Sequence, residues 1–262
     1  MAAETQYTAN TGTVNISTAN PNLDGTGTLG VLISAATGNG TVIKTITIKA
    51  TTTVTQGAIR FFIFDGTNYR LIKEVEVDPY TQSATSPTFE YVWLCDINLK
   101  TSDRIYVGTE KAESFNIFAE GLDWAYYATA VRPESTNFTA NTGMTVISTA
   151  NSNLDGTGTL GTILTAGSSA TYKGCRVEQI SIQAIGNVTT GMVRIFLYDG
   201  TNTRLLHEEL IPAWPRSATA PAFSKKININ FQMQANYVLK AAPQNAESFA
   251  IIVQGNDWKY PA

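Results

Sequence analysis

Charge, cysteine and histidine are scarce in this chain of 262 residues. Asp, Glu, Lys and Arg make up 15% of it, there are two cysteines, and His207 is the single histidine. Each shortage excludes a class of function. With a net charge of -3 and no basic cluster denser than Lys225-Lys226, the chain carries no electrostatic footprint for a nucleic-acid backbone. A Ser-His-Asp or Cys-His centre would have to use His207, and neither Cys95 nor Cys175 sits in a nucleophile motif. His207 therefore reads as a solvated strand residue. No run of about 18 apolar residues exists, so no membrane span is expected. Met1–Tyr7 has neither the basic nor the apolar region of a secretory signal, which points to synthesis in the cytoplasm.

What is present is a repetition. Thr8–Gly30, TANTGTVNISTANPNLDGTGTLG, returns at Thr139–Gly161 as TANTGMTVISTANSNLDGTGTLG, with 19 of 23 positions identical. Phe64-Asp-Gly-Thr-Asn-Tyr-Arg-Leu71 returns as Tyr198-Asp-Gly-Thr-Asn-Thr-Arg-Leu205, and Ala112-Glu-Ser-Phe115 as Ala246-Glu-Ser-Phe249. The offset is 131 at first and 134 later, so copy two holds a three-residue insertion somewhere in Gly161–Cys175. One domain is used twice: residues 1–127, a linker at 128–137 with one proline, and residues 138–262. Each copy is long enough to bury its own core without metals or disulfides. The cysteines differ between copies, Cys95 standing against Ile229 and Cys175 against Thr41, so no shared staple is expected and a reducing compartment is.

Copy one reads as eight short strands: Thr13–Thr18, Thr28–Ser34, Val42–Ala50, Ala58–Phe64, Arg70–Val77, Phe89–Cys95, Arg104–Gly108 and Phe115–Glu120. Gly, Asn, Asp and Pro punctuate them, and no window keeps a helical period with caps, so an all-β fold with almost no helix is expected. In Lys44–Lys49 alternation sends Ile46 and Ile48 inward, as it does Ile180 and Ile182 in copy two. Asp65-Gly66 and Asp199-Gly200 predict hairpins that make the fourth and fifth strands antiparallel neighbours. Eight antiparallel strands in about 125 residues fit one two-sheet jelly roll per copy, hence two jelly-roll-like sandwiches in tandem; a seven-stranded Ig-like sandwich is the second choice.

Candidate sites each have a structural competitor. Asp24 and Asp155, in the two Asn-Leu-Asp-Gly-Thr-Gly loops, offer oxygen to a cation, but a lone carboxylate suits an Asx turn better than calcium. Glu113/Glu247, Glu120 and Asp123/Asp257 are the acids a glycosidase pair would draw on; Glu120 becomes Gln254, so structural roles are expected. Trp124 and Trp258, expected just after the last strand, are either plugs over the end of a sandwich or platforms for sugar stacking. Tyr80 and Trp214, the latter beside Arg216, lie in equivalent proline-containing loops and are either interface anchors or aromatics folded back on their own domain. No catalytic residue, cofactor or metal is expected.

The blocks TANTG…ISTANxNLDGTGTLG, F/Y-DGTN-x-RL and AESF…GxDW resemble a β-sandwich module of tailed-phage virion proteins, of the crAss-like and Bacteroidetes phage auxiliary capsid or head-fibre type. The resemblance spans nearly all of both copies and rests on turn and strand residues, so no functional residue comes with it. It implies a location in the virion and a decoration role on the capsid surface. The major capsid protein or other virion proteins would be partners, and a homo-oligomer is compatible. A tandem carbohydrate-binding or adhesion module that takes surface glycans is the alternative.

Overall fold

The computed structural model describes residues 4–34, 39–127, 137–215 and 221–259. They are all-β, with no helix among the described residues. The strands are β1 (Glu4–Ile16), β2 (Gly30–Ile33), β3 (Gly40–Ala50), β4 (Gly57–Phe64), β5 (Tyr69–Val77), β6 (Glu90–Leu99), β7 (Arg104–Thr109) and β8 (Phe115–Tyr127). The second set is β9 (Asn137–Ile147), β10 (Gly161–Thr165), β11 (Gly174–Ala184), β12 (Gly191–Tyr198), β13 (Thr203–Ile211), β14 (Ser224–Met233), β15 (Val238–Pro243) and β16 (Phe249–Lys259). The chain splits into two compact units, β1–β8 in the first and β9–β16 in the second. Residues 128–136 of the expected linker lie outside the described residues; Asn137 already opens β9.

Each unit holds two four-stranded antiparallel sheets. In the first the orders are β1-β8-β3-β6 and β2-β7-β4-β5; in the second they are β9-β16-β11-β14 and β10-β15-β12-β13. Among the described residues only β4–β5 and β12–β13 join consecutive strands, through the two Asp-Gly hairpins, so the sheets are not meanders. Everywhere else the chain crosses between sheets, and each unit has eight strands rather than the seven of the second-choice sandwich.

The core of the first unit lies between its sheets. Ile46, Ile48, Ile117 and Ala119 from one sheet cluster with Ile59, Phe61, Val75, Ile105 and Val107 from the other. Ile180 and Ile182 are equally buried in the second unit, as the alternation predicts. The repeat extends to irregularities: the bulge at Ile43/Thr45 recurs at Val177/Gln179, and that at Phe61/Phe62 at Ile195/Phe196. Copy two's insertion falls in the connection between β10 and β11, where Tyr172 N–H closes a turn on the Ser168 carbonyl at 2.8 Å.

Expected boundaries move: β6 runs on to Leu99 rather than ending at Cys95, and two shifts are larger. The first strand starts at Glu4 rather than Thr13, because Thr8–Gly12, too polar to read as a strand, pairs residue for residue with Gly121–Asp123 and their neighbours on β8. The last strand continues through Trp124 to Tyr127, and β16 likewise through Trp258, so both tryptophans lie within strands.

Candidate functional site

The most repeated block builds a loop across the outer face of the second sheet in each unit. Asn20 and Asn151 organise it. The Asn20 side chain donates to the Thr26 and Thr28 carbonyls, both at 2.9 Å, and accepts the Asn22 N–H at 3.1 Å. Asn151 repeats all three contacts with Thr157, Thr159 and Asn153. The backbone of each Asn is tied down as well: Asn20 N–H to Thr109 O at 2.7 Å, Asn151 N–H to Pro243 O at 2.9 Å. Gly27 and Gly158, at φ of 85° and 82°, lie so close to the Asn amides that a Cβ would come within 2.8 Å of them. In the second unit Leu154, 7% exposed, packs from this loop onto Phe196, Leu205 and Ala242.

Asp24 and Asp155 sit in this loop as Asx turns. Each Oδ1 accepts both the N–H and the hydroxyl of the threonine two residues on, at 3.0 and 2.7 Å for Asp24 and 3.0 and 2.6 Å for Asp155. The threonine hydroxyl, then its N–H, hold both carboxyls below their ordinary pKa of 3.8. No group of three or more His, Cys, Asp or Glu side chains among the described residues could hold a metal ion. Replacing Asn151 by alanine strands the Thr157 and Thr159 carbonyls and should lower the stability of the second unit by about 1–3 kcal/mol in urea denaturation.

Beneath the loop lies a buried arginine that sequence reading missed. Arg194 donates from Nε to Glu208 at 3.0 Å, from Nη1 to the Asn151 carbonyl at 2.9 Å and from Nη2 to Gln244 at 3.4 Å. Arg60 makes the same three contacts with Glu74, the Asn20 carbonyl and Glu110, at 2.8, 3.4 and 3.3 Å. The available signal was retention of Arg and Glu at the 134 offset, in strands that otherwise tolerate exchange.

The other acids also hold structure. Glu113 accepts the Thr55 N–H and hydroxyl at 2.8 and 2.6 Å, and Glu247 does the same for Thr189 at 2.7 and 2.6 Å. Asp123 accepts from Asn10 at 2.9 Å and from the Thr41 hydroxyl; Asp257 accepts from Asn141 at 3.0 Å. Glu120 is buried within β8. The cysteines are free, and burial pushes Cys95 up to about 11 and Cys175 higher still, so neither is a thiolate near neutral pH. His207 lies on β13 as expected, but its side chain is only 22% exposed rather than solvated, with Nε2 3.8 Å from Glu209.

The aromatic candidates separate. Trp258 is 7% exposed and pairs across the sheet with Gly174. Trp124, half-buried, pairs with Gly40 and lies against it, so close that a Cβ there would approach the indole to 2.9 Å. Trp258 is thus enclosed, while the Trp124 indole lies against Gly40. Tyr80 and Trp214 form matching bridges, Tyr80 with Val54 and Trp214 with Val188, each through two backbone hydrogen bonds. Tyr80 packs against the core of its unit. Trp214 stays 40% exposed, with Nε1 donating to the Pro221 carbonyl at 2.7 Å and its ring edge-on to Phe223. Arg216 lies outside the described residues.

No family model and no curated protein matches the chain. Solved structures that align with it include PNGase F, a glycosylasparaginase from Flavobacterium meningosepticum, at 10% identity and a TM-score of 0.25 over 94% of this chain and 96% of that one. Sulfolobus turreted icosahedral virus aligns at 14% identity and 0.26, over 96% of this chain and 57% of that one. The major capsid protein P2 of bacteriophage PM2 aligns at 14% and 0.25, over 96% and 98%. Likenesses at such TM-scores carry no argument to this chain, neither for the enzyme nor for the viral proteins.

Proposed function

We propose that this chain is a non-enzymatic virion structural protein, two jelly rolls in tandem that bind an assembled capsid surface and decorate it. The observation that carries the reading is the use made of the retained polar residues. Asn20/Asn151, Asp24/Asp155, Arg60/Arg194, Glu74/Glu208 and Glu113/Glu247 all hold a loop or a strand end in both units. A repeat that commits its shared polar groups to rigidity is built as a body that presents surface. The strand order supports the jelly roll, since two four-stranded sheets linked mostly by crossovers are what two Greek keys produce. The repeated blocks supply the resemblance to tailed-phage virion modules.

Within this reading Trp214 is the anchor, since its ring is held in place yet remains partly exposed, as aromatic hot spots are. Tyr80, packed on the core, shapes the equivalent loop. The test is co-sedimentation of the purified protein with capsids that lack it. Saturable binding at a fixed copy number is expected, weakened about tenfold or more by Trp214→Ala with little change in melting temperature. Failure to pellet with capsids, together with retention on a glycan surface, would replace decoration with adhesion.

A further inference from the structure

Among the described residues, six of the eight sheet edges are blunted in ways that discourage pairing with another strand. β2 and β10 are short and bulged. β5 carries Arg70, Lys73, Glu74 and Glu76; β13 carries Arg204, His207, Glu208 and Glu209; β6 has Glu90 and Asp96; β14 has Lys225 and Lys226. β9 has none of these devices. It is an edge strand of 11 residues without charge or proline, and its ladder with β16 has no bulge. Its outer face is apolar and open: Phe138 is 68% exposed, Met144 74% and Val146 58%, with Ile252 of β16 directly opposite Met144 and 36% exposed.

This stripe belongs to copy two. The equivalent strand β1 begins with Glu4 and carries Thr13 and Asn15 where β9 has Met144 and Val146. Since the first unit holds the same strand with these two polar residues, the fold does not require Met144 and Val146; Phe138 has an aromatic counterpart in Tyr7, 42% exposed.

We propose that β9 is a homodimer seam, in which two copies of this chain pair edge to edge and antiparallel about a two-fold axis at Thr142. The occupant follows from the pattern. A two-fold interface must be self-complementary, and Thr142 is the midpoint of Asn137–Ile147, so this register overlaps both strands along their full length. On the outer face it sets Phe138 against Val146, Ala140 against Met144 and Thr142 against its own copy. Aromatic to β-branched and Thr to Thr are favourable cross-strand pairs, and with no charge on the strand no like-charge repulsion arises. The axis stands normal to the sheet, so the outer faces continue into one eight-stranded face.

Sedimentation velocity on the full chain tests this. A concentration-dependent dimer is expected in the micromolar range. Thr142→Lys and Thr142→Glu each place like charges opposite one another at the axis and should weaken the dimer about tenfold or more. Mixed in equal amounts, the two variants should dimerise again. Met144→Thr with Val146→Asn, which installs the residues of the first copy, should weaken the dimer without loss of fold. A wild-type chain that stays monomeric, a dimer indifferent to Thr142→Lys, or a mixture that stays monomeric would each overturn the seam.

Discussion

Glu208→Ala should cost the second unit about 3–5 kcal/mol, the penalty for leaving one member of a buried ion pair without its partner. The Arg194 and Glu208 side chains are 3% and 2% exposed, so neither regains water when the other is removed. In the first unit the equivalent Arg60 is 9% exposed, but Glu74 and Glu110 are 46% and 38% exposed. Glu74→Ala is therefore expected to cost about 1 kcal/mol or less, with solvent and Glu110 compensating. Urea denaturation of the two variants reads this difference directly, and equal losses would refute burial as its cause. Replacing both Arg194 and Glu208 by apolar residues of similar volume should recover only part of the loss. The Asn151 carbonyl, which takes a 2.9 Å hydrogen bond from Arg194, would remain without its donor.

Gly143→Ala should destabilise the second unit by about 3 kcal/mol, through steric overlap rather than lost contacts. A Cβ on Gly143 would sit 1.6 Å from the Ile163 carbonyl oxygen, and on the equivalent Gly12 2.0 Å from that of Leu32. The obstacle is backbone in both cases, so no side-chain rotation relieves it, and β9 and β10 would have to separate. Gly12→Ala should behave alike in the first unit. Gly186→Ala is the control: nothing lies within 4 Å of its added Cβ and its φ is not positive, so a neutral or slightly stabilising change is expected. Thermal melts of the three variants decide the matter; a harmless Gly143→Ala would mean that the strands are not held this close.

Much of the fold was legible because its signals are local. Ile46 and Ile48 alternate with threonines, and Asp65-Gly66 demands the positive φ that a tight turn supplies, observed as 95° at Gly66. The Asx turns at Asp24 and Asp155 were equally readable, since the threonine that each carboxylate binds is two residues away. The errors have a common cause as well. Thr8–Gly12 and Leu122–Tyr127 become strand through long-range pairing, Thr8–Gly12 with Ala119–Asp123 and Leu122–Tyr127 with Glu4–Ala9. The Arg194 hub joins residues 14, 43 and 50 positions away, and no window of sequence contains them. The surroundings of Trp124 and Trp258 likewise depend on cross-strand partners, Gly40 and Gly174, that sequence spacing does not reveal.

The sequence by itself determined that this protein is one β domain used twice, where each hairpin turns, and which isoleucines face inward, because backbone preference and side-chain alternation act between near neighbours. Tertiary structure alone decided which strands share a sheet, that the repeated loop is clamped from below by a buried arginine, and that β9 is left as an open apolar edge. Those outcomes depend on pairings between segments up to more than a hundred residues apart, such as Asn10 with Asp123 and Asn141 with Asp257. Their free energy comes from burial and from satisfying polar groups across the fold, and it exists only once both partners are in place.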